Sequence, residues 1–123
     1  MAKHLKTGKE GEEASLHYLK KSGYTILEVN WQFRKLEIDI IAMEGPILIA
    51  VEVKTRSTDA FGEPEVFVTK SKQKKLIKAI NYYVDRTGMD NEIRFDIVSV
   101  LSQNGELKIN HIKDAFYPSV SAG

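Results

Sequence analysis

The run Leu36-Glu37-Ile38-Asp39-Ile40-Ile41-Ala42-Met43, the join Glu44-Gly45-Pro46 and the run Ile47-Leu48-Ile49-Ala50-Val51-Glu52-Val53-Lys54 read as a β-hairpin. Both arms are dominated by Ile, Val and other apolar residues, and Gly and Pro between them favour a reversal. Strand side chains alternate between faces, so Leu36, Ile38 and Ile40 are expected on one side and Glu37, Asp39 and Ile41 on the other. In the second arm, the face of Leu48 and Ala50 runs directly into Glu52 and Lys54. If the hairpin closes with Met43 opposite Leu48, parity sets Asp39 across from Glu52 and Glu37 across from Lys54 on one shared face.

Working outward, Lys9 to Lys21 reads as a helix stopped by Gly23, and Tyr24 to Phe33 as a strand. After the hairpin comes a polar stretch from Thr55 to Val68 that reads as a long loop. A second helix, about Ser71 to Arg86, carries Leu76, Ile77, Ile80, Tyr83 and Val84 on one face, with Gly88 beyond its end. Ile93 to Leu101 and Leu107 to Ile112 form a closing hairpin around Asn104-Gly105. The order is α-β-β-β-α-β-β, and the second helix suits the crossover of a parallel strand pair. The fold class is therefore α/β, with a central mixed sheet flanked by helices.

With 123 residues, of which 42% are hydrophobic and 28% charged, the chain suits one domain with a real core rather than a disordered segment. It contains no cysteine, which removes disulfides, thiolate metal sites and cysteine nucleophiles together. No apolar stretch approaches the length needed to cross a bilayer, and no signal peptide is apparent; a cytoplasmic protein without a membrane partner is expected. The formal net charge is +1, yet Lys70, Lys72, Lys74, Lys75 and Lys78 fall within Thr69 to Val84, a segment without an acid. The cationic charge is local.

Opposed carboxylates on a sheet repel one another, the more so when partly buried. A divalent cation would compensate, and hard oxygen donors without Cys or a neighbouring His suit Mg²⁺ or Mn²⁺ rather than Zn²⁺. The hairpin by itself favours a plainer reading, in which Glu37 pairs with Lys54 at the surface and the other acids are solvated, since exposed ion pairs are common. Glu12 adds weight to the cation, because it lies four and seven residues before Leu16 and Leu19 on the face expected to pack. It is as readily an acid favoured by the helix start. Asp96 reads as a structural pair with a nearby base. The lysine run at the start of the second helix suits phosphate contact and is equally consistent with a solvated helix face. Arg34, Lys35 and Arg56 lie near the acids in sequence and extend that footprint. Trp31 and Phe33 read as core aromatics before base-stacking ones.

Asp39, twelve intervening residues and then Glu52-Val53-Lys54 resemble the D…ExK core of the PD-(D/E)xK nucleases, which include restriction endonucleases and archaeal Holliday-junction resolvases. A longer match, from about Gly8 to Pro118, is similar to the YraN-like family of bacterial proteins predicted to be endonucleases. It rests on Gly8-x-x-Gly11-Glu12, Tyr18-Leu19, Gly23-Tyr24-x-Ile26-Leu27, Asn30, Glu37-Ile38-Asp39-Ile40-Ile41-Ala42, Val51-Glu52-Val53-Lys54-Thr55-Arg56, Phe61-Gly62-x-Pro64 and Arg94-Phe95-Asp96. Many members carry Gly where this chain has Leu36.

The resemblance implies a restriction endonuclease-like fold and a metal-dependent phosphodiester hydrolase acting on DNA, branched intermediates included. Asp39 and Glu52 become metal ligands, joined by the Val53 carbonyl and by Glu12. Lys54 becomes the residue that handles the attacking water, and Glu37 a supporting acid. Lys70, Lys72, Lys74, Lys75, Arg34, Lys35 and Arg56 become the nucleic-acid contacts, and a homodimer is added to the expected partners by analogy with the resolvases. The alternative from another class is a DNA-structure-binding module for repair, recombination or uptake that keeps the acids without cutting. A third reading is a small interaction protein that docks through its tail, Ala115-Phe116-Tyr117-Pro118.

Overall fold

The structure, a computed structural model, describes residues 3–57 and 68–118, with side chains for 8–56 and 68–118. Its elements are α1 (Lys3–Lys21), β1 (Thr25–Phe33), β2 (Leu36–Glu44), β3 (Ile47–Ser57), α2 (Lys70–Thr87), β4 (Ile93–Gln103) and β5 (Glu106–Ile112). This is the expected order, with α1 beginning six residues earlier than Lys9 and β3 continuing through Thr55 and Arg56, which had read as loop. The Phe61-Gly62-x-Pro64 motif and most of the expected loop lie outside the described residues. Among the described residues no helix is long and apolar enough to cross a membrane.

Five strands form one sheet in sequence order, β1-β2-β3-β4-β5. Neighbours are antiparallel except β3 and β4, which run parallel from Leu48↔Ile93 to Ser57↔Ser102 with α2 as their crossover. The sheet is covered on both sides. Leu76, Ala79, Ile80 and Tyr83 of α2 pack with Ile41, Leu48, Ala50, Phe95 and Ile97 on one face. Leu19 of α1, with Tyr24, packs against Ile40, Ile49, Val51, Val98 and Val100 on the other. The buried centre of α1 is Gly11, Ser15 and Leu19 at four-residue spacing, so Glu12 and Leu16 are half-buried at the stripe's margin rather than central to it. A methyl group on Gly11 would run into the Thr55 side chain, which is why the helix can lie this close to β3.

Two local devices set the strand register. Gly45, Asn104 and Gly105 take positive φ of 57°, 53° and 80°, the conformation that tight hairpin turns demand. At the β1–β2 turn that role falls to Arg34, with φ 59°, and Leu36 pairs with Phe33 in an ordinary ladder. The tail segment is packing: Ala115 N–H donates to Phe95 O at 2.7 Å and the Phe116 ring stacks on Phe95 with centroids 4.8 Å apart.

Candidate active site

Expected alternation along β2 fails at one residue. Ile38 and Ile41 pack toward α2, while Ile40 and Ala42 pack toward α1, so the strand changes parity across Asp39. The cause lies on the neighbouring strand, where Asn30 adopts φ 52° between the paired positions Val29↔Ile40 and Trp31↔Ile38. Asn tolerates this left-handed backbone better than most residues, and the ladder is interrupted opposite Asp39 as a result.

On the other side, β2 and β3 pair from Glu44↔Ile47 to Ile40↔Val51 and then part. The far half of the β1–β2 hairpin leans over α2 instead. Trp31 meets Tyr83 edge-on with centroids 5.4 Å apart, and Phe33 packs on Tyr82 at 4.8 Å. The strands thus open as a fork with Asp39 at its base. Asp39 Oδ2 accepts the Val53 N–H at 2.8 Å, taking the place a backbone carbonyl holds in an intact ladder. A strand N–H lies in the plane of the sheet, so this carboxylate sits in the fork itself and not on either face. The C=O of a strand residue points to the same side as its N–H, and the Val53 carbonyl therefore opens on the fork too.

Met43 does stand opposite Leu48, as the expected register required. Asp39 and Glu52 come together without being ladder partners. Glu52 is buried, with 7% of its surface exposed. Burial and the charge of Asp39 push its carboxyl up to about 7. Asp39 is also raised, by burial first, with Glu37 and Glu12 adding repulsion and the Val53 N–H and Lys72 opposing it. Lys54 is half-buried one pleat beyond Glu52 on the same face, where its charge favours the Glu52 carboxylate.

Other expected members are less central. Glu37 is exposed and pairs with Gln32 in the β1–β2 ladder, whose Nε2 donates to it at 3.5 Å. It does not face Lys54 across a ladder, because β2 and β3 have separated before that point. Glu12 is half-buried and its Oε1 accepts from Asn30 Nδ2 at 3.2 Å, so the residue that breaks the ladder also holds this acid.

Among the expected cations, Lys72 turns inward. Its Nζ stands 3.9 Å from Glu52 Oε2, and its charge favours ionisation of both acids. Lys70, Lys74, Lys75, Arg34, Lys35 and Arg56 are exposed. The inward position of Lys72 was readable, because it precedes Leu76, Ala79 and Tyr83 by four, seven and eleven residues, on the helix stripe that packs. Asn30 had a fainter signal, a turn-loving residue inside a strand.

Among the described residues, no three His, Asp or Glu side chains converge closely enough to enclose a cation by themselves. Mg²⁺ seldom needs such a cage, since one or two carboxylates hold it while waters and substrate phosphates complete the shell. Asp39, Glu52 and the Val53 carbonyl fit that donor set.

A second buried carboxylate behaves in the opposite way. Asp96, 1% exposed, accepts from Arg94 Nε and Nη2 at 2.9 Å each, from His111 Nε2 at 2.8 Å, from Asp114 N–H at 3.0 Å and from the Tyr24 hydroxyl at 3.3 Å. Burial works to raise it, but the bonds from His111, Arg94 and Asp114 hold it far below the usual carboxylate range. Asp96 is thus the structural partner of nearby bases, Arg94 and His111. Arg94 also reaches Glu44 at 2.9 Å, and His111 Nδ1 lies 3.0 Å from the Tyr18 hydroxyl of α1.

Comparison with known proteins places this architecture in a family. A UPF0102 protein of Flavobacterium psychrophilum is 53% identical over 117 residues, covering 95% of this chain and 98% of that protein. One from Christiangramia forsetii is 48% identical over 117 residues, again 95% and 98%. One from Bacteroides thetaiotaomicron is 43% identical over 118 residues, 96% and 98%. The model described as Uncharacterised protein family UPF0102 matches residues 11–100, a span that includes Glu12, Asn30, Asp39, Glu52, Lys54 and Lys72. The chain belongs to the UPF0102 family, the YraN-like proteins.

Proposed function

We propose that this protein is a metal-dependent endonuclease that hydrolyses phosphodiester bonds of DNA, with a site of the PD-(D/E)xK kind. The observation that carries the reading is the meeting of Asp39 and Glu52 at the base of the fork. A buried and a half-buried carboxylate share that place, their repulsion opposed by one N–H, by Lys72 3.9 Å away and by the charge of Lys54. Such an arrangement costs stability unless a ligand offsets it, which is the usual signature of a functional site.

In this reading Asp39, Glu52 and the Val53 carbonyl hold Mg²⁺ or Mn²⁺, which when bound supplies neutralisation of phosphate charge and a more acidic water. Lys54 orients the attacking water and places its ammonium beside the oxygens on which negative charge develops. Glu12, fixed by Asn30, and Glu37 act on the site at a distance, through field and solvent. Lys72 balances the acid pair from α2. By resemblance to the resolvases the enzyme works in the cytoplasm on branched or recombining DNA, as a homodimer.

A second reading is favoured by a specific feature. With Lys72 against Glu52 and, among the described residues, no third acid closing on the fork, the domain suits recognition of DNA structure without cleavage. One assay separates the two: branched, flapped and single-stranded DNA incubated with Mg²⁺ or Mn²⁺, comparing wild type with Asp39→Asn, Glu52→Gln and Lys54→Ala. Cleavage by wild type reduced at least a hundredfold in each variant is the expected result. Binding by all four proteins without cleavage by any supports the module instead.

A further inference from the structure

The surface beside the fork carries a second pattern that the acid pair does not use. On α2, Lys75, Lys78, Tyr82 and Arg86 recur at spacings of three, four and four residues, so they line one side of the helix over about 16 Å. The three cations are exposed and Tyr82 is half-buried. Where this row ends, the β1–β2 turn closes over it. Arg86 lies over the Phe33 ring, 4.8 Å from its centroid, and Arg34 lies 5.2 Å from the same ring and 5.8 Å from that of Tyr82.

This arrangement is not a way to satisfy charge. Among the described residues, no carboxylate pairs with Arg34, Lys75, Lys78 or Arg86. Stacking on aromatic rings instead fixes the guanidinium planes while leaving their N–H edges free to donate. Arg34 holds its place with φ 59°, a backbone conformation that glycine or asparagine adopts with less strain. A guanidinium is thus kept at the turn despite its backbone. Flat cations and an aromatic edge in a row with lysines match a chain that presents phosphates and unstacked bases together. Duplex DNA offers the phosphates but keeps its base faces covered.

We propose that this face of α2, with the β1–β2 turn, is a track for an unpaired nucleic-acid strand leading to the fork. Lysines 75 and 78 bind phosphates, and the Arg34–Phe33–Tyr82–Arg86 stack receives bases. The proposal rests on the nuclease reading only for the direction of the track; strand binding itself is independent of catalysis.

The test is fluorescence anisotropy with a labelled oligothymidylate and a blunt duplex of equal length, in EDTA so that no cleavage occurs. Lys75→Glu with Lys78→Glu should weaken single-strand binding at least tenfold and reduce the slope of log affinity against log salt by about 1.4, two phosphate contacts at about 0.7 each. Tyr82→Leu and Arg34→Gly, with unchanged melting temperature, should weaken single-strand binding about fivefold or more while duplex affinity holds. Equal losses on both probes would overturn the track and leave a nonspecific phosphate patch. Unchanged single-strand affinity in these variants would overturn it as well. If Asp39→Asn abolishes cleavage while single-strand binding survives, track and nuclease both stand. If wild type never cleaves yet the variants lose strand binding, only the nuclease reading falls.

Discussion

Asp96 and the pair Asp39–Glu52 are carboxylates drawn wholly or partly out of water in the same sheet, and they are treated in opposite ways. Asp96 is surrounded by five hydrogen-bond donors, from Tyr24 just before β1, from β4 and β5 and from the turn after β5, and its proton affinity falls. Asp39 receives one backbone N–H, Glu52 a lysine at 3.9 Å, and the proton affinity of both rises. Burial costs every carboxylate its hydration; what differs is whether the chain supplies substitutes for the lost water. The acid with five donors is a fastening, and the pair with few donors bears the cost of its burial.

The contrast is broken most forcefully at the fastening. Asp96→Ala removes the partner of Arg94 and His111 and should cost about 3 kcal/mol in urea unfolding, since a buried cation loses its main counter-charge. The loss is moderated because Glu44 still pairs with Arg94. At the fork the sign reverses. Without divalent ions, Glu52→Gln should stabilise the fold by on the order of 1–2 kcal/mol at pH 8, because one member of a repelling pair is neutralised.

The two sites also predict a pH profile. Glu52 is raised in the folded state, so its favourable contribution is complete below the unfolded carboxylate range and disappears as pH climbs through about 7. Asp96 is depressed, so its contribution is complete above that range and is lost as pH falls below about 4. Metal-free wild type should therefore melt highest near pH 5. Glu52→Gln should flatten the alkaline limb, and Asp96→Ala the acid one. Mn²⁺ at pH 8 should raise the melting temperature of wild type and leave that of Glu52→Gln nearly unchanged. The smallest effect tests how α1 is seated: Gly11→Ala should destabilise by about 1 kcal/mol through contact with Thr55, and Thr55→Ala should restore most of it.

What could be read from the sequence follows from the range over which each contact acts. The hairpin, its Met43↔Leu48 register and the proximity of Asp39 to Glu52 all lie within one short stretch, where alternation and turn chemistry decide the outcome. Alternation failed at Asp39 itself because the cause, the left-handed backbone of Asn30, lies on another strand. It failed for Glu37 because the pull on the far end of the hairpin comes from Tyr82 and Tyr83 in α2. The Asp96 network was legible only as a pairing with some nearby base, which Arg94, two residues away, supplies. His111 and Tyr18, 93 residues apart, meet through the sheet order, and no periodicity encodes that meeting.

Asn30 has one more effect. A sheet whose strands follow sequence order has two open margins, β1 and β5, where unsatisfied backbone groups invite another strand to join. Along β1 the reversal at Asn30 and the register shift between Ile26 and Glu28 spoil the straight row of donors and acceptors that lateral growth requires. Along β5 the exposed Glu106 and Lys108 make a like approach expensive in hydration. The irregularity that aims Asp39 into the fork thus also guards the molecule against ribbon-like polymerisation.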